Sequence, residues 1–284
     1  MFEQAMPEQA IQVQVMSGQA RPGWALVTGA SSGIGAAIAR ALARRGIPLI
    51  LTARRLERLE ALADTLRGQV EVVVIALDLA DPGAPAALQA EIERRDLPLR
   101  MLVNNAGYGL PGRYLASDWP AHARFLQVMV TAVSELTWRL LPAIRASGNG
   151  AILNVASLAA LMPSADGQTL YAPVKSYLVK FSEALSLENA DAGVRVVALC
   201  PGFTWSEFHD VTGTRASMSK LPSWMWLDAD AVAECGLEAL ARGNRVTVVP
   251  GWRYRLLHAV TRHLPDAFLL RRMAKNSRRI RPLD

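Results

Sequence analysis

The chain has 284 residues, 51% of them hydrophobic and 20% charged, with a formal net charge of +6. That composition can bury one sizeable core and excludes disorder as the main state. Cys200 and Cys235 are too few and too far apart for a disulfide framework, so a reducing cytoplasm is expected.

Residues 1–22 form a polar leader without the basic and apolar regions of a signal peptide. From Trp24 to Gly29 a short apolar run predicts a strand, followed by a helix over Ile34–Arg45. The same alternation continues with strands at 47–53, 70–79 and 99–107 and helices at 56–66 and 84–95. A long helix over 119–146 leads to a strand at 151–157, and a helix over 171–192 to a strand at 194–200. A helix near 228–241 and a last strand at 245–250 close the body. The strands are continuously apolar, which marks a parallel sheet covered on both faces, and strand–helix alternation of this kind predicts a doubly wound, Rossmann-like α/β fold. One domain is expected over residues 23–250, with a basic amphipathic extension over 251–284. Residues 252–284 carry nine Arg or Lys against two Asp, a local +7 that leaves −1 on the rest. Basicity is thus a property of the tail, and no nucleic-acid partner is expected of the body. No apolar run reaches the length of a membrane-spanning helix.

Two stretches carry chemistry. The first strand runs into TGASSGIG, Thr28–Gly35, and then directly into a helix. Gly29 permits a tight turn, Gly33 a close approach of backbone to a pyrophosphate, and Gly35 close packing of helix on strand. Ser31, Ser32 and Ile34 complete this candidate phosphate loop. At the end of the second strand stand Arg54 and Arg55, with no acid before Glu57. A carboxylate there would favour NAD; guanidinium groups suit the 2′-phosphate of NADP(H), although a solvated arginine pair reads the same way. The second stretch is Tyr171-Ala172-Pro173-Val174-Lys175. An i, i+4 spacing puts the phenol and the ammonium on one helix face, where the cation can lower a phenol pKa from its free value of about 10.

The TGxxxGxG loop, Asn104-Asn105-Ala106-Gly107, and Ser157 fourteen residues before YxxxK together resemble the short-chain dehydrogenase/reductase family over about residues 23–250. The resemblance implies hydride transfer between NADP(H) and a carbonyl or secondary alcohol, with Tyr171 as acid/base, Ser157 holding the substrate oxygen and Lys175 tuning Tyr171. It implies that Asp78 and Leu79 hold the adenine and that Asn105, Ala106 and Gly107 flank the nicotinamide ribose. It also implies that Pro201, Gly202, Thr204 and Ser206 meet the nicotinamide end, and that the long helices pair subunits into a homodimer or homotetramer. Met129 stands where the family usually carries an asparagine that anchors a relay water; as a side chain it also reads as a core filler.

The aromatic-rich stretch 203–226, with Phe203, Trp205, Phe208, Trp224, Met225 and Trp226, suggests an apolar lid and a hydrophobic carbonyl or alcohol substrate, or else a subunit interface. The histidines are isolated, so no metal is expected. The tail's apolar and cationic residues suit either peripheral contact with an anionic membrane or docking on the body. Two other functions remain open: a cofactor-binding protein with weak or no turnover, and a membrane-surface protein acting through its tail.

Overall fold

The computed structural model describes residues 23–110, 112–207 and 222–280. Seven strands, β1 (Trp24–Thr28), β2 (Leu49–Ala53), β3 (Val72–Ala76), β4 (Leu99–Asn104), β5 (Ala151–Val155), β6 (Arg195–Leu199) and β7 (Thr247–Val248), form one sheet. They run parallel in the order β3-β2-β1-β4-β5-β6-β7. Alternate residues of each strand feed opposite cores, which is why the strands read as unbroken apolar runs. Ala25 and Val27 of β1 pack with Leu51 and Leu153 on one face, while Leu26 packs with Ile50, Leu102 and Ile152 on the other. Helices α1 (Gly33–Ala43) and α2 (Leu56–Leu66) follow β1 and β2, and α3 (Ala84–Arg94) follows β3. Salt bridging from Arg40 of α1 to Asp230, at 2.9 Å, links α1 to the helix that precedes β7.

Predicted ends differ from the observed ones where apolar sequence outlasts the ladder. Leu77 to Leu79, expected in the third strand, lie beyond β3 and turn into the cleft, with Leu79 buried but unpaired in the sheet. The expected strand at 245–250 pairs only at Thr247 and Val248. The helix expected over 119–146 is α4 (Trp119–Leu126) and α5 (Ala132–Ala146), joined by a π turn at Gln127–Thr131. Such a turn inserts one residue without breaking the axis, so side-chain periodicity barely registers it.

Helix α6 (Tyr171–Glu188) precedes β6, and α7 (Ala229–Arg242) precedes β7. The tail forms α8 (Trp252–Thr261) and α9 (Asp266–Ile280), broken near Pro265 as its sequence predicts. Tyr254, Thr261 and Leu269 are buried against the body. Among the described residues, no helix is long and apolar enough to cross a membrane.

Candidate active site

Strand order reverses between β1 and β4, and ligands of open α/β sheets settle at such a switch point, beyond the carboxyl ends of the strands. A cleft of about 690 Å³ opens there. One end is lined by Gly29, Ser31, Ser32, Gly33, Ile34, Arg54, Arg55, Asp78 and Leu79. Its middle holds Asn105, Ala106, Gly107, Ser157, Tyr171 and Lys175, beside Pro201, Gly202, Thr204 and Ser206. Every expected site residue except Gly35 therefore lines one continuous space. Gly35 acts from beneath: a Cβ on it would lie 2.4 Å from both the Asn105 side chain and the Gly29 carbonyl.

The phosphate loop is held open by its glycines. Gly29 and Gly33 sit at φ +64° and +56°, and a Cβ on Gly33 would press on Ser206 at 2.9 Å. Ser32, at the N-cap of α1, makes no side-chain capping bond, and the first turn of α1 contains no acid. This leaves the positive end of the helix uncompensated by its own residues, which suits a pyrophosphate. Thr28 Oγ1 donates to the Val103 carbonyl (3.1 Å) and accepts from the amides of Asn105 and Ala106 (both 3.0 Å). Asn105 Nδ2 donates to the carbonyls of Thr28 and Gly29. Its amide thus braces the loop, while Asn105, Ala106 and Gly107 border the cleft.

At the loop's outer side, Arg55 donates to Ser31 Oγ (3.0 Å), Ser32 Oγ (3.1 Å) and Glu207 Oε2 (3.0 Å). Glu207 also binds Arg58, and these two guanidinium contacts, Arg58 first, hold its carboxyl below the usual range. Arg54 makes no hydrogen bond or ion pair among the described residues. Asp78 accepts from the Ala80 amide (3.0 Å) and from Arg124 (2.5 Å). Glu207 and Arg58 escaped the sequence reading, because nothing local signals that a residue after β6 meets α2.

The candidate catalytic groups are equally constrained. Ser157 follows β5 and accepts from the Ala159 amide at 3.1 Å, so its hydroxyl caps a short turn as well as facing the cleft. Tyr171 opens α6, which puts Pro173 in the first turn, where no amide bond is lost. Lys175, one turn on, donates from Nζ to the Val155 carbonyl (2.8 Å) and lies 5.7 Å from the centre of the Tyr171 ring. Burial pushes the Lys175 ammonium down to about 8. Burial likewise pushes the nearby Cys200 thiol up to about 12, so it stays neutral and supplies no counter-charge at neutral pH. Met129 is buried in the π turn with its sulfur against Gly107, where an added Cβ would lie 2.9 Å away.

Beyond Tyr171 the walls come from an unexpected source. Phe203 and Met225 of the aromatic stretch reach the cleft, but Trp205 and Trp226 stack on each other at 4.1 Å, and Trp224 is exposed. Phe208 lies outside the described residues. Further wall comes from Met162, Pro163, Ala165, Asp166 and Gln168 and from the tail: Tyr254, Leu257 and Thr261 of α8 with Leu269, Arg272 and Met273 of α9. Tyr254 donates to the Met225 carbonyl and accepts from the Phe203 amide, and its ring covers Gly202, where a Cβ would lie 2.3 Å from Cζ. The helical spacing of Leu257, Leu269 and Met273 was the available signal, but spacing alone does not say what a face packs against.

A family model described as short chain dehydrogenase matches residues 23–215. The chain belongs to the short-chain dehydrogenase family. A sulfoacetaldehyde reductase of Chromohalobacter salexigens is 39% identical over 187 residues, 64% of this chain and 72% of that protein. A solved short-chain dehydrogenase from Sphingobium yanoikuyae, in complex with NADPH, superposes with a TM-score of 0.74 at 31% identity, over 84% of this chain and 93% of that one. A bulky-bulky ketone specific alcohol dehydrogenase from Comamonas testosteroni gives 0.71 at 28% identity, over 86% and 96%.

Lys175 has a measurable signature. Between pH about 8 and the ordinary lysine value of 10.5, the unfolded chain keeps a proton that the folded chain has released. Stability therefore rises with pH across that window, by up to about 3 kcal/mol. Urea titrations of wild type and Lys175→Met from pH 7 to 10.5 should show the wild type gaining on the variant by that order. A constant difference would contradict the shift.

Proposed function

We propose that this short-chain dehydrogenase is an NADPH-dependent carbonyl reductase, reversible toward the secondary alcohol, with Tyr171 as the proton donor and acceptor. The observation that carries the reading is the convergence of the phosphate loop, Ser157, Tyr171 and Lys175 on a single cleft. The coenzyme, when bound, supplies or takes the hydride. Ser157 holds the substrate oxygen, and the Tyr171 hydroxyl passes a proton to it. Lys175, fixed on the Val155 carbonyl, offers a positive charge to the phenolate that remains. Gly29, Gly33 and Gly35 shape the pyrophosphate cradle, and Asp78 and Leu79 border the adenine. Thr204 and Ser206 border the nicotinamide. Arg54, whose guanidinium has no protein partner among the described residues, takes the 2′-phosphate, next to Ser31 and Ser32. NADPH in the Sphingobium neighbour supports this choice. Met162, Phe203, Met225 and Leu269 give the substrate end an apolar lining, which supports a hydrophobic carbonyl compound. Trp138 on α5 (71% exposed) and Leu187 on α6 (82%) suit the subunit pairing expected of the long helices.

Tyr171→Phe keeps the ring and removes the proton donor. Steady-state turnover should fall by at least a thousandfold, about 4 kcal/mol of barrier, while NADPH binding followed by fluorescence stays near wild type. Turnover within tenfold of wild type would sink the assignment.

Arg54→Ala should weaken NADPH binding by about 1–3 kcal/mol, the scale of a lost charge-assisted contact, and leave NADH unchanged. Equal weakening of both coenzymes would move the 2′-phosphate away from Arg54.

Peripheral membrane contact has its own support. Trp252, Leu256 and Val260 form an exposed i, i+4 row on α8, 51–62% exposed, flanked by Arg253, Arg255 and Arg262. The full chain should co-sediment with phosphatidylserine-containing vesicles at low salt and be released at high salt. Failure to co-sediment at low salt would leave this row to a protein contact.

A further inference from the structure

Among the described residues, eight charged side chains line the cleft, and their pairing is uneven. Arg55 is held by Glu207, Asp78 by Arg124, and Asp166 by Arg113 at 3.5 Å. Lys175 is engaged by the Val155 carbonyl. Only Arg54 and Arg272 have no hydrogen bond or ion pair among the described residues. They come from different elements: Arg54 follows β2, near the phosphate loop, and Arg272 lies on α9.

Arg272 is placed by a built face of α9. Leu269, Arg272 and Met273, at i, i+3 and i+4, all line the cleft, and Leu269 is only 8% exposed. Below them α8 is anchored by Tyr254 and by Thr261, whose Oγ1 lies 3.3 Å from the Met162 sulfur, in the segment between Ser157 and Tyr171. Met162, Leu257, Leu269 and Met273 line the same cleft as Tyr171 and Arg272. Among the described residues lining the cleft, Asp166 is paired with Arg113. Apolar walls together with a guanidinium that has no partner among the described residues suit a molecule with an apolar body and a negative end.

We infer that Arg272 binds an anionic group at the far end of the substrate, so that the substrate class is hydrophobic carbonyl compounds bearing a terminal carboxylate or a comparable oxyanion. The carbonyl in this statement rests on the reductase reading above; the anion site does not. Arg272 is a specificity residue, distant from the reacting atoms, and acts on binding more than on the chemical step.

A calorimetric titration of the full-length protein, saturated with NADP+, tests the anion site without turnover. The probes are a long-chain fatty acid and its methyl ester. The acid should bind about tenfold tighter than the ester, as one partly exposed charge-assisted contact allows. Arg272→Gln should erase that preference, leaving ester and NADP+ binding unchanged. Arg262→Gln removes the same charge from the tail outside the cleft, and should leave the preference intact. Equal binding of acid and ester to the wild type, or a preference that survives Arg272→Gln, overturns the proposal; so does an equal loss in Arg262→Gln, which would indicate bulk tail charge. NADPH oxidation with the matching keto acid and keto ester then separates the two readings. A preference for the keto acid, carried in KM and lost in Arg272→Gln, supports both. Arg272-dependent binding of the acid with no oxidation of NADPH supports the anion site and removes the reductase reading.

Discussion

The joint between β1 and β4 fixes the geometry of everything above the sheet. One hydroxyl, Thr28 Oγ1, donates to β4 and accepts from the two amides that follow it, so the strand ends on either side of the switch point cannot part. The phosphate loop springs from one side of this joint and the Asn105–Gly107 segment from the other. A second buried network continues the frame outward. Asn104 donates to Asn154 (2.8 Å) and to Thr137 (3.1 Å), and Asn154 donates to Ser182 (2.8 Å). The strand that ends near Ser157 and the helix that presents Tyr171 and Lys175 are thereby referred to the same origin. Buried, bonded polar groups of this kind specify one arrangement, because any other would leave them unpaired.

Much of this was legible in the residues. Continuous apolar runs announced the parallel sheet, and the two motifs announced the phosphate loop and the Tyr171–Lys175 pair. Each depends on spacing within one element or one turn, and such spacing is visible in a linear chain. Contacts between distant elements were not visible. Glu207 reaches Arg55 and Arg58 across about 150 residues of sequence, and Asn105 braces a loop that the motif alone suggests it merely borders. The aromatic stretch divides in a way its sequence does not show: Phe203 and Met225 line the cleft, while Trp205 and Trp226 stack on each other.

The tail illustrates the same limit more sharply. Its apolar residues recur at helical spacing, and its arginines fall between them, so the pattern suits a membrane surface and a docked helix equally. In the structure the buried and exposed residues fall on different faces. Tyr254, Thr261 and Leu269 turn inward and are buried, whereas Trp252, Leu256 and Val260 remain outside. The extension thus forms part of the cleft wall, and of its basic residues Arg272 lines the cleft.

The contact between Gly202 and Tyr254 ties two distant parts of the gene to one another. Any side chain at 202 would occupy the space of the Tyr254 ring, and without that ring the carbonyl of Met225 and the amide of Phe203 lose their partner. Divergence at either position therefore has to be matched at the other. A chimera that exchanges the C-terminal segment with that of another family member must carry residue 202 across as well, and a new substrate range obtained by such grafting will be set jointly by the loop after β6 and the helix that rests on it.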